Sequence, residues 1–171
     1  FKDYWTIAGP FITFSQGLIF KISGVSWFSY VLHASIFNSI IAISTFLILL
    51  RFKLNIHYSF LYGILVSILA YPSAGTPYVD HHASILCVIS IYCLILAFKT
   101  DLKKYWFFLP IILAISFLTK QAPTGHFLII IIVLSIVYFS INFDFSKIFY
   151  GILGSLISIL LFFVALYIFD I

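Results

Sequence analysis

The chain has 171 residues, of which 64% are hydrophobic, 20% aromatic and only 8% charged, with a formal net charge of +4. Soluble domains carry about a quarter of their residues as charges, so this composition excludes an ordinary soluble fold. It indicates a polytopic membrane protein, to be counted in spans of about 20 apolar residues.

The nine Lys and Arg are spread along the chain without a dense basic cluster, which excludes nucleic acid as a partner. Cys87 and Cys93 lie in one apolar run without metal-ligand spacing and read as buried small hydrophobes. The sequence opens at Phe1 without Met and closes in an apolar run at Ile171, which reads as a piece of a longer protein. Phe1 to Ser26 lacks the basic start, unbroken apolar centre and cleavage site of a signal peptide.

Residues 1–27 read as an external loop with an interfacial amphipathic helix, begun by Pro10, released at Gly24 and flanked by Trp5 and Trp27. Residues 28–171 read as a transmembrane bundle. Its spans are expected at about Phe28 to Leu50, Ile56 to Tyr71, His82 to Phe98, Leu102 to Thr119, Pro123 or Phe127 to Ile141, and Phe149 to Phe169. The expected fold is therefore all-α, with about six spans plus the external helix. Alternating the connections puts Arg51, Lys53, Lys99, Lys103, Lys104 and Lys147 on one side and Lys2, Lys21 and Lys120 on the other. The first side is then cytoplasmic by the positive-inside rule.

One polar island, Tyr71 to Ala83, interrupts the apolar runs. Pro72, Gly75 and Pro77 forbid a continuous helix there, and Asp80-His81-His82 follows as the next run begins. A carboxylate and two imidazoles at the mouth of a helix suit a charged headgroup, while the ordinary reading of Asp80 is a helix cap. The two histidines diverge by about 100° on a helix, so at most one faces the same site as Asp80. Lys120 closes the fourth span among Gln121, Thr124 and His126, around Pro123 and Gly125. The set reads as a donor-rich turn fit for a phosphate, against the alternative of a snorkelling anchor. Asp3 reads as a solvated loop residue, His33 as an interhelical hydrogen-bonding group with some functional weight, and His57 as interfacial. A divalent cation held by Asp80 and one histidine stays open as an alternative; no metal ligand or cofactor is assigned.

Three stretches together resemble a known family. Asp3-Tyr4-Trp5-Thr6 with Gly9-Pro10, followed by Phe20-Lys21-Ile22-Ser23-Gly24-Val25-Ser26-Trp27-Phe28, resembles the first external loop and next span of polyprenyl-phosphate-dependent glycosyltransferases of the GT-C fold. The nearest likeness is to glycosyltransferase family 39, which holds the protein O-mannosyltransferases and the bacterial aminoarabinose transferase. Tyr78-Val79-Asp80-His81-His82-Ala83 resembles its later external aspartate, and Phe117-Leu118-Thr119-Lys120-Gln121-Ala122-Pro123 its Leu-Thr-Lys-Gly-Pro turn. Gln121 stands where that turn commonly has Gly, and Val31 where many relatives have Arg. The aspartate pair that usually holds the family's base would precede Phe1, so the piece in hand is expected to lack part of the machinery.

The resemblance implies transfer of a sugar from a polyprenyl-phosphate donor to a glycan, lipid or protein acceptor, in the bilayer of a bacterial inner membrane, at its periplasmic face. Asp80 and Asp3 are the implied catalytic residues, and Lys120, His81, His82, Gln121 and His126 the implied substrate-binding ones. A transporter or flippase of a lipid-linked sugar is the alternative, and it predicts internal repeats and ionisable groups at mid-membrane.

Overall fold

The computed structural model describes residues 9–72 and 75–169. Among the described residues it is all-helical, in the order α1 (Pro10–Ser23), α2 (Trp27–Arg51), α3 (Ile56–Ala70), α4 (Val79–Lys99), α5 (Lys104–Thr119), α6 (Gln121–Ile141) and α7 (Phe145–Phe169). The helix ends follow from local chemistry. Pro10 occupies the first turn of α1, and Gly24, at φ +78°, releases the chain after it. The Ser26 hydroxyl accepts from the Ser29 N–H, and the Asn55 side chain accepts from the His57 N–H. The Asp144 carboxylate accepts from the amides of Ser146 and Lys147 and so starts α7.

Among the described residues four helices, α2, α4, α6 and α7, are long and apolar enough to cross a membrane. The expected six spans therefore reduce to four on length and composition. With 15 and 16 residues, α3 and α5 reach only about 22–24 Å at 1.5 Å per residue, short of a hydrocarbon core of about 30 Å. Pro72 closes off α3, and the extended backbone of Lys120 (φ −157°, ψ 130°) ends α5.

The expected start and stop of α1 are found, and its packing is now defined. Phe20 stacks near Tyr30, Ser15 bonds His33 and Phe11 meets Phe37 edge-on, so α1 runs antiparallel along the first turns of α2. Its start is tied to the end of α5: the Gly9 N–H donates to the Thr119 carbonyl at 3.0 Å. A Cβ on Gly9 would lie 1.9 Å from the Leu118 carbonyl oxygen, so only glycine permits this approach.

Short as it is, α5 is the hub of the C-terminal half, packed against both α4 and α7. Cys93, Leu94, Ala97, Trp106, Leu109, Leu113 and Ile131 form a core shared by α4, α5 and α6. On the α7 side, Gly154 lies against the Phe107 carbonyl, where a Cβ would come within 2.1 Å. A second core of Phe37, Ile41 and Ile85 joins α2 to α4, and Asn38 donates to the Ser67 carbonyl at 2.7 Å to hold α3 against α2. At the opposite end from Asp80, Lys99 sits over the Phe52 ring at 3.6 Å and Lys147 bonds Asp101 at 3.1 Å. Lys99 and Lys147, two of the six cations assigned to one side, thus share one end of the bundle.

Candidate functional site

The Lys120 link between α5 and α6 is a single residue. Its N–H donates to the Ser116 carbonyl at 3.0 Å and its carbonyl accepts from the Thr124 hydroxyl at 2.9 Å, so its backbone is held from both sides. Beneath it lies a buried polar knot. Ser116 Oγ is 2.8 Å from Thr124 Oγ1, 3.3 Å from Cys87 Sγ and 3.1 Å from the Ala83 carbonyl. Small hydroxyls and a thiol thereby join α5, α6 and α4, and they fix the end of α5 against the first turn of α4. From that platform the Lys120 ammonium forms an ion pair with Asp80 Oδ1.

Asp80 therefore does not act as a side-chain cap, and no side chain caps α4. Its carboxylate is committed to a charge partner 40 residues away in sequence. Both side chains remain reachable, at 36% exposure for Lys120 and 44% for Asp80, so a charged ligand can compete for either.

Asp80 also stands at the mouth of a groove of about 740 Å³ between α2, α3 and α4. Thr76, Tyr78, Tyr71 and His81 line its polar end, and Val66, Leu69, Ile41, Ile85 and Val88 its apolar depth. Tyr92, whose hydroxyl is 3.1 Å from Thr45 Oγ1, lies at the far end. From Asp80 to Tyr92 the groove follows about 18 Å of α4 at 1.5 Å per residue. A polar mouth with a long apolar trough suits a molecule that has a polar head and a hydrocarbon tail.

The expected site residues divide. Asp80 and His81 line the groove, where His81 Nε2 faces the Ala70 carbonyl, and Lys120 reaches it only through its ion pair with Asp80. His82 does not join them: it is fully buried, with its ring 4.2 Å from Phe37 and 4.8 Å from His33. That is the expected divergence of adjacent helical residues, and it turns the His82 ring away from the groove toward Phe37. The donor-rich turn after Lys120 is instead the first turns of α6, which accommodates Pro123 near its start. Thr124 points into the polar knot, whereas Gln121 and His126 are exposed and the His126 ring is occupied by the Ala122 carbonyl at 2.8 Å. Asp3 lies outside the described residues, as do Lys2 and Trp5.

The cation left open as an alternative on Asp80 and a histidine would have to displace Lys120 from Asp80. Among the described residues no group of three or more His, Cys, Asp or Glu converges as metal ligands. Sequence reading missed the Ser116–Cys87–Thr124 knot and the groove wall. Ser116 and Thr124 stand four residues either side of Lys120, a helical spacing that could have flagged the support of the lysine. No protein-family model, curated protein or solved structure matches the chain.

Proposed function

We propose that the chain is part of a membrane glycosyltransferase that moves a sugar from a polyprenyl-phosphate donor to an acceptor hydroxyl. The observation that carries this reading is the joining of a half-exposed Asp80–Lys120 pair to an apolar groove that runs along α4. The polyprenyl tail lies in the trough below Asp80, and the phosphate takes the Lys120 ammonium from its carboxylate partner. Asp80, released, accepts the proton of the acceptor hydroxyl. The acceptor oxygen then bonds to the anomeric carbon while the bond from that carbon to the phosphate oxygen breaks. The electron pair leaves on the phosphate, where Lys120 offsets the charge. In-line displacement inverts the anomeric centre, so the ion pair must open with the sugar between its halves.

In this reading α3 and α5, although each is shorter than a hydrocarbon core, still link its two faces, packed beside α2, α4 and α7. The end that bears Asp80 faces the exterior or periplasm of a bacterial inner membrane, because Arg51, Lys53, Lys99, Lys103, Lys104 and Lys147 lie at the other end. The acceptor is a glycan, a lipid or a protein.

The test uses the full-length protein in liposomes, with a panel of polyprenyl-phosphate sugars and wild type beside Lys120→Ala. Donor-dependent sugar transfer that the variant loses is the expected result. No transfer with any donor, together with passage of the lipid-linked sugar between leaflets, replaces the reading with a transporter.

A further inference from the structure

Behind the groove, three helices bring together polar atoms that the transfer reading does not use. A carbonyl oxygen can only accept, so the His82 Nδ1 that lies 3.0 Å from the Tyr78 carbonyl carries the proton and Nε2 is a bare lone pair. The Ser15 hydroxyl donates to the Ile12 carbonyl at 3.1 Å, so it accepts from His33 Nε2 at 2.9 Å and leaves His33 Nδ1 bare. Among the described residues neither bare nitrogen has a hydrogen-bond partner, and His33 and His82 are 1% and 0% exposed. Two lone pairs cannot bond each other; a cation satisfies both.

The geometry agrees with a shared ion. With metal–nitrogen bonds of about 2.0–2.1 Å, two imidazoles on a tetrahedral ion have ring centres about 5 Å apart. Those of His33 and His82 lie 4.8 Å apart, with the planes inclined by 42°. In each ring the second nitrogen is anchored by an oxygen, which is how metal-binding histidines are oriented. Gln16, next to Ser15 on α1, is likewise buried, with both amide atoms unpaired among the described residues.

We propose that His33 and His82 bind a transition-metal cation that fastens α2 to α4, with Ser15 of α1 holding the His33 ring. Imidazole ligands select zinc, cobalt, nickel or copper over magnesium or calcium. His81 is not part of the site, since it turns to the Ala70 carbonyl at the groove.

The test is carried out on untagged full-length protein in detergent, loaded with Co²⁺ or Zn²⁺ and freed of loose metal. About one ion per chain is expected, with the visible bands of tetrahedral cobalt and two imidazoles in the zinc X-ray absorption spectrum. His33→Gln and His82→Gln each lose more than about a hundredfold in affinity, and Ser15→Ala about 10–100-fold, as for a group that orients a ligand. His57→Gln, at an exposed residue, keeps the ion. No tightly held ion, affinity unchanged in both histidine variants, or loss of the ion in Asp80→Asn overturns the proposal. Where a histidine variant fails to fold, a wild-type spectrum with fewer than two imidazoles overturns it equally. Every readout is of metal, so transfer activity does not enter the result.

Discussion

Neutralising either half of the Asp80–Lys120 pair separates its contribution to stability from its contribution to chemistry. Lys120→Met keeps the aliphatic stem and removes the charge, and Asp80→Asn keeps the shape of the carboxylate. With the side chains 36% and 44% exposed, water screens the pair. Its coupling in a double-mutant cycle of unfolding is expected at or below about 1 kcal/mol, as for exposed ion pairs. A change of that size moves the unfolding midpoint by about 2–4 °C in a domain of this length. The expected effect on transfer is far larger. Loss of the charge that meets the departing phosphate should slow turnover by about 10²–10³-fold, or about 2.7–4 kcal/mol of transition-state stabilisation. Because both groups act in one step, the double variant should be about as slow as the slower single one, not the product of the two. Thermal unfolding in detergent gives the first quantity, and single-turnover transfer in liposomes with saturating donor gives the second. Turnover within about threefold of wild type in Lys120→Met, against the hundredfold expected, would refute the assignment. So would a loss of activity that tracks the loss of folded protein.

Val88→Trp fills the apolar depth of the groove. The KM for a long-chain donor should rise by about tenfold or more, with little change for a short-chain soluble donor; an equal rise for both would place the tail elsewhere. Thr124→Val removes the hydroxyl shared by Ser116 Oγ and the Lys120 carbonyl. It should cost about 1–3 kcal/mol in a detergent unfolding measurement and also slow transfer, because the Lys120 backbone loses one of its two holds. Gly154→Ala places a methyl 2.1 Å from the Phe107 carbonyl oxygen, whereas at Gly151 the nearest atom is 3.9 Å away. The first should destabilise by about 1–3 kcal/mol through separation of α7 from α5, and the second should be near neutral; equal melts for the two would contradict the packing.

Much of the fold was legible in composition and punctuation. Long apolar runs bounded by Pro10, Gly24, Arg51, Pro72, Lys99 and Lys120 marked the helices to within a few residues, because proline, glycine and charge act on the backbone locally. Element length was harder to read: the runs that hold α3 and α5 look like spans, but proline and a one-residue link leave the helices themselves too short. The stretch from Lys120 to His126 looked like a turn for its proline and glycine, yet proline in the first turn of a helix loses no hydrogen bond. Sequence singled out Asp80 and Lys120 separately, from the rarity of charge in an apolar chain.

What the sequence determined by itself was the all-helical apolar character, the order of the helices and the opposite ends of the bundle at which Asp80 and Lys99 stand. These follow from period, length and local breakers. The tertiary structure alone decided that Asp80 pairs with Lys120 and not with its own helix end, and that His81 turns to the groove while His82 turns to His33. It also decided that Ser116, Cys87 and Thr124 form the platform under the lysine. Each of those outcomes depends on which faces of distant helices meet, and in a chain where nearly every face is apolar, hydrophobic pattern cannot distinguish one face from another. Close approaches at Gly9 and Gly154, together with the interhelical hydrogen bonds of Asn38, Ser116 and Thr124, make that choice.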